Sequence, residues 1–279
     1  MNDSASRATI WRQILAVQAL EIRKRFLGKR AIPVYILALI PLAMFVGRLV
    51  VLRVFHMSQN DTIAHDRVIY AALFRTLILR FVVYFGSVFL FVPLFRGDIL
   101  DRSLHYYFLV PMRRQTLTLA KYLSGLSAAL VLFNGVTLAT WTLSYLVFGT
   151  GALTEQLASM HGLAELGAYL LVTTLAIVGY GAVFLAAGVF FKNPIVPAVV
   201  ILGWESINAL LPPVLKKISV IHYLDSLCPV AVPPDSGIAI LADPASPWVA
   251  VPGILALAAV LVMVAAWRVN RMEILYGVE

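Results

Sequence analysis

The sequence predicts an all-α integral membrane protein of six transmembrane helices, preceded by an amphipathic interfacial helix and carrying a short cytoplasmic helix between spans two and three. Three observations predict it. Hydrophobic residues make up 61% of the 279 positions and charged residues 13%, against about 25% charged in soluble domains; the mean hydropathy is +0.89. Six apolar runs each approach the roughly 20 residues that cross a hydrocarbon core. The basic residues fall unevenly between alternate connecting segments, as the positive-inside rule requires of a polytopic chain.

Residues 1–30 form a cytoplasmic segment. Trp11, Leu15, Ala19, Ile22 and Phe26 recur at helical spacing, with Arg12, Arg23 and Lys24 largely off that stripe, which describes an amphipathic helix lying in the membrane interface. A basic juxtamembrane segment drawn to anionic lipid is the plainer reading of the same residues, and both can hold. The stretch Met1 to Gln13 has no apolar h-region with a small-residue cleavage site, so the first span is expected to serve as an uncleaved insertion signal. The spans are read as Ala31 to Leu52, Ala72 to Phe95, Leu123 to Phe148, Leu163 to Phe191, Pro194 to Leu211 and Trp248 to Trp267. Together they make one transmembrane domain over residues 31–267, followed by a tail over 268–279.

An even number of spans puts both termini on one side. With that side inside, the inner segments hold Arg7, Arg12, Arg23, Lys24, Arg25, Lys29, Arg30, Arg96, Arg102, Arg113, Arg114, Lys121, Lys192, Arg268 and Arg271, and the outer ones only Arg48, Arg53, Arg67, Lys216 and Lys217. Fifteen against five places both termini and the 96–122 hairpin in the cytoplasm, and the chain is expected in the plasma membrane of a bacterium. The outer loop over 212–247 is proline-rich yet apolar, with Ile218, Val220, Ile221, Tyr223 and Leu224 near its start, and is expected to pack rather than extend into water.

The hairpin between spans two and three is the most specific feature. It combines Gly97-Asp98, then Ser103-Leu104, then Pro111 with Arg113 and Arg114, then Ala120-Lys121 at the entry to the third span. In this pattern it resembles the loop between the second and third spans of type-2 ABC (ATP-binding cassette) exporter permeases. That family carries an acidic-glycine element, Thr-Leu, a Pro-x-x-Arg turn and Gly-Lys; here Ser replaces Thr, Ala replaces Gly, and Arg96 and Asp98 stand where glutamates are usual. The resemblance implies a transmembrane subunit of an ATP-driven exporter. A separate cytoplasmic ATPase would dock on Arg96, Gly97, Asp98, Asp101, Arg102, Ser103, Leu104, Pro111, Arg113 and Arg114. It also implies a permease homodimer, ATP and Mg on the ATPase, an amphipathic connecting helix ahead of the first span, and short re-entrant helices in the outer loop. His105, Tyr106, Tyr107 and Phe108 read as interfacial anchors or as rings facing that partner.

Ionisable residues inside spans cost about 2.5–3.5 kcal/mol each to insert and mark candidate sites. Counting about 1.5 Å per residue from the inner ends of their spans, Glu205 lies at about 20 Å, Arg80 at about 23 Å and Arg48 at about 26 Å. Glu205 is therefore expected to pair with Arg80 or with Arg48, the three forming a candidate substrate path. Arg48, Arg53 and Arg75 either snorkel to headgroups or meet an anionic headgroup or acidic substrate. Glu165 is expected to be interfacial. Ser124, Gly125, Ser127, Asn134, Gly135 and Thr137 in the third span either allow close packing or line a path.

Other classes are disfavoured. The basic residues sort by membrane side and form no aromatic-interleaved stripe, so no nucleic-acid partner is expected, whereas membrane lipids are. No Gly-x-x-x-x-Gly-Lys-Ser/Thr occurs, so this chain is expected to bind no cofactor and to hydrolyse no ATP itself. Cys228 is the one cysteine, which leaves no internal disulfide and no cysteine zinc site. No Gly-x-Ser-x-Gly or His-Glu-x-x-His appears, and His56, His65, His105, His161 and His222 all fall in predicted loops. No catalytic or metal-ligating residue is assigned. The alternatives are a non-transporting subunit that passes conformational work to a partner and a polytopic membrane enzyme.

Overall fold

The computed structural model describes residues 2–26, 28–54, 63–109, 112–207, 215, 218–230 and 246–272, and every regular element among them is helical. Helix α1 (Asn2–Phe26) leads through a short 3-10 turn (Lys29–Ala31) into α2 (Ile32–Val54). A composite helix follows: α3 (Ile63–Leu73), a π-helical segment (Phe74–Val83), α4 (Tyr84–Phe91) and α5 (Pro93–Leu100). Next come α6 (Leu104–Leu109), α7 (Arg114–Leu146), α8 (Thr150–Ala158), α9 (Met160–Phe190), α10 (Ile195–Ser206), α11 (Val220–Leu227) and α12 (Pro247–Asn270).

Five helical stretches among the described residues are long and apolar enough to cross a membrane: 32–54, 63–100, 114–146, 160–190 and 247–270. This is the build of a helical membrane protein, since only internally hydrogen-bonded segments are stable in hydrocarbon. The fifth predicted span is shorter than expected. Its described part is α10, of 12 residues, about 18 Å at 1.5 Å per residue, and residues 208–214 lie outside the described ones. The second span is longer than expected, since the helix begins at Ile63 and continues past Phe95 to Leu100.

Helix α9 is the centre of the bundle. It packs against α7, α12, α4 and α11 and buries Tyr169, Val172, Ile177, Tyr180, Phe184 and Leu185. Close approach is built from glycine. A methyl group on Gly188 would lie 2.6 Å from the Val92 carbonyl oxygen, and one on Gly181 would lie 2.6 Å from the Phe91 ring. The first contact falls beside Pro93, which lacks an N–H and so interrupts the helix between α4 and α5. The small residues of α7 pack in the same way: Gly125 sits against Phe91, Asn134 donates to Thr174 (3.1 Å), and Thr137 and Thr173 share a hydrogen bond of 3.1 Å.

On α2 the buried residues Val34, Leu37, Ala38, Pro41 and Phe45 form one stripe, and its other faces expose Ile36, Leu39, Ile40, Val50 and Val51. Such one-sided burial suits a helix facing lipid. Helix α1 lies along α7, but not by the predicted stripe. Trp11 and Leu15 are 61% and 59% exposed, whereas Ile14 and Glu21 are buried and Gln18 donates to Ser127 (3.0 Å). The face docked on the protein is therefore Ile14–Gln18–Glu21, leaving the Trp11–Leu15–Ala19 face uncovered. Four histidines are helical rather than in loops, but His65 and His161 are exposed near the starts of α3 and α9; His56 lies outside the described residues.

Candidate functional site

The hairpin made by α5, α6 and the start of α7 is defined by how α5 stops. The Ser103 N–H donates to the Asp98 carbonyl (2.9 Å) and the Arg102 N–H to that of Ile99 (3.2 Å), the paired bonds that close a helix C-terminus. That closure needs a left-handed residue, usually glycine, and Arg102 takes it at φ 52°. Helix α6 then turns back, with Leu104 buried while Leu100, Tyr106 and Leu109 stand 66%, 65% and 78% exposed. Asp101, Arg102 and Arg113 are also exposed, and Arg96, Gly97 and Ser103 half-buried. Pro111 lies outside the described residues.

The base of the hairpin holds a buried charge network. Lys121 and Asp98 have no exposed surface, and Glu21 is 1% exposed. Lys121 donates to both Glu21 and Asp98. Lys24 donates to the second Asp98 oxygen at 2.8 Å, the Ser103 hydroxyl to Asp98 at 3.3 Å, and the Tyr107 hydroxyl to Glu21 at 3.0 Å. The Lys121 ammonium also faces the Tyr107 ring at 4.4 Å and the Phe95 ring at 5.5 Å. Among the described residues two acids and two ammonium groups are paired here, and such pairing is what permits the burial. Asp98, expected on the surface as a docking acid, is instead the pin that fastens α5 to α1 and α7.

Arg114 is likewise committed within the chain. It donates to the carbonyls of Val269, Asn270 and Met272 at 3.4, 3.1 and 2.8 Å and lies over the Phe108 ring at 4.2 Å. A guanidinium at the C-terminus of α12 satisfies carbonyls that have no intrahelical partner and complements the helix dipole.

At the far end of the bundle the expected pairings are replaced by others. Arg48 makes a two-pronged pair with Asp66, and Arg67 pairs at 2.6 Å with Glu165, which is buried within the protein. Arg53 donates to the Leu146 carbonyl (3.2 Å) and Arg75 to that of Val230 (2.8 Å). Arg80 pairs with Asp225 at 3.1 Å.

Glu205 pairs with neither Arg80 nor Arg48. It accepts from the N–H groups of Val220 (3.1 Å) and Ile221 (2.9 Å), the Ser219 hydroxyl (3.0 Å) and the Tyr180 hydroxyl (3.3 Å). These amides are free donors at the first turn of α11, where a carboxylate is favoured by both hydrogen bonds and dipole. Four directed donors outcompete a distant guanidinium. Of the loop residues expected to pack, Val220, Ile221, Tyr223 and Leu224 are buried, with α11 against α9 and α12, whereas Ile218 is exposed.

Sequence reasoning missed Glu21, Asp66 and Asp225, the acids that meet Lys121, Arg48 and Arg80. For Glu21 a signal existed, because it shares the i, i+4, i+7 stripe of Ile14 and Gln18. Asp66 and Asp225 gave none, since each meets its arginine through tertiary packing. The arrangement defines a helical membrane protein with a pinned hairpin at one end and, at the other, arginines held by acids or by backbone carbonyls. No family model matches the chain, and neither a curated protein nor a solved structure matches it significantly.

Proposed function

We propose that this chain is the transmembrane subunit of an ATP-driven exporter in the plasma membrane of a bacterium, working as a homodimer with a separate cytoplasmic ATPase. The 96–122 hairpin and both termini face the cytoplasm in this reading, as the fifteen-to-five basic asymmetry favours. ATP and Mg belong to the partner. The exported molecule is a lipid, drug-like or other small compound.

The observation that carries the reading is the division of labour within the hairpin. Its tip offers the exposed side chains of Leu100, Arg102, Tyr106 and Leu109, an apolar surface beside a cation, suited to a protein groove. Its base is held by the Glu21–Lys24–Asp98–Lys121 network, so a push on the tip is delivered to α1, α5 and α7 together. Such a lever is useful only if ATP binding favours one of two global arrangements of the bundle.

The test is affinity purification from the native membrane with identification of associated proteins and nucleotide hydrolysis. An ATPase should co-purify, and Tyr106→Ala combined with Leu109→Ala should reduce its recovery at least tenfold while membrane yield stays unchanged. Recovery of the intact chain without any ATPase would reject this reading and favour the membrane-enzyme alternative.

A further inference from the structure

The π-helical segment alters what two arginines can do together. In an α-helix of 3.6 residues per turn, side chains five apart diverge by about 140°; hydrogen bonds from i to i+5 instead place such residues about one turn above each other. Arg75 and Arg80 are five apart within Phe74–Val83, and both reach the same short stretch of chain. Arg80 meets Asp225 at 3.1 Å and Arg75 the Val230 carbonyl at 2.8 Å.

The charges there do not balance among the described residues. Asp225 is the one carboxylate against two guanidiniums, since Glu205 is occupied by donors at the other end of α11. The Nε atoms of Arg75 and Arg80 and one oxygen of Asp225 are buried without a hydrogen-bond partner among the described residues. Yet the Arg80 side chain is 34% exposed and Arg75 half-buried, so both remain open to an incoming group. Elsewhere at this end Arg48 and Arg67 each have a carboxylate of their own, Asp66 and Glu165. An unneutralised cation at membrane depth is retained where it meets an anion.

We propose that Arg75 and Arg80 form a binding site for the anionic headgroup of a membrane amphiphile, with Arg75 supplying the free charge and Asp225 competing for Arg80. The shared chemistry is a phosphate-type oxyanion, taken up by two convergent guanidiniums in forked hydrogen bonds. The site does not depend on the ATP-driven reading, because it is a property of binding alone.

The experiment measures thermal unfolding of the purified full chain in a neutral detergent, titrated with phosphatidylglycerol, with phosphatidylcholine and with inorganic phosphate. Phosphatidylglycerol should stabilise the wild type saturably and phosphatidylcholine should not. Inorganic phosphate acting as well as the anionic lipid would identify a free oxyanion as the ligand of the same two arginines. Arg75→Gln should weaken binding about tenfold or more, the worth of one charge-assisted hydrogen bond, and Arg75→Lys should restore part of it. Asp225→Asn should tighten binding, because it releases Arg80; a merely structural ion pair predicts no such gain. Equal response to the two lipids, or no change in affinity in either Arg75→Gln or Asp225→Asn, overturns the proposal. Should Arg75→Gln fail to fold, the gain expected of Asp225→Asn decides.

Discussion

Lys121 sits with no exposed surface between two carboxylates and two aromatic rings, and removing its ammonium takes away the cation that Glu21 and Asp98 share. Lys121→Met should therefore destabilise the protein by about 3–5 kcal/mol, the usual cost of breaking a buried ionic group. Lys24→Met, at a side chain 36% exposed, should cost about 1 kcal/mol or less. Thermal melts of the two variants in one detergent check the contrast, and equal losses would mean that the network is not organised around Lys121. Cys228 offers a second measurement. Burial pushes its thiol up to about 12, although Arg75 pulls the other way, so almost no thiolate exists near neutral pH. In detergent solution its labelling by a maleimide at pH 7 should be at least tenfold slower than that of a cysteine placed at Gln115, and equally rapid labelling would contradict the raised thiol. At this scale the sequence was legible in part. That charges inside spans must be neutralised follows from their cost, but which acid meets which base does not. Glu205 and Arg80 were matched by depth, whereas the fold brought four donors to Glu205 from α11, α9 and the residue ahead of α11.

The same correction governs the helices. Because Glu205 closes the first turn of α11, Glu205→Gln should cost about 1.5–3 kcal/mol, the range for hydrogen bonds to a charged group. Arg80→Gln acts on a different contact, so the double variant should lose the sum of the two single losses. Recovery of stability in the double variant would instead restore a direct Glu205–Arg80 pair. At the end of α5, Arg102 holds a left-handed conformation that costs a side-chain-bearing residue about 1–2 kcal/mol. Arg102→Gly should raise the melting temperature while weakening any complex that uses the hairpin tip, so that stability and association move in opposite directions. On α9, Gly188→Ala drives a methyl to 2.6 Å from backbone, and the overpacking should cost about 1–3 kcal/mol. Long apolar elements were legible because twenty apolar residues have few other uses. The π-helical wind of 74–83 was not, since it is a local change of hydrogen-bond register that composition does not signal. The protein-facing stripe of α1 was missed for a related reason: an apolar count selects the face that prefers lipid, while Gln18 and Glu21 mark the face that the bundle takes.

Across the whole molecule, the order of helices matches the apolar runs, and the difference lies in the fifth, whose described helix is too short to span unaided. Impermeant labelling of single cysteines at Gln115 and at Ser246, in a Cys228→Ser background, should occur from opposite sides of the membrane. Labelling of both from one side would reject the six-span topology. One earlier contact also bears on how such a chain is made. Glu21 and Lys121 are 100 residues apart, and at about 5–20 residues per second the ribosome needs about 5–20 s to supply the lysine after the glutamate has emerged. For that interval α1 must wait at the membrane surface with its acid in water, and it can seat only after the third long apolar helix has been inserted. A nascent chain halted before residue 121 should therefore keep α1 open to protease, and one halted after α7 has cleared the insertion machinery should protect it.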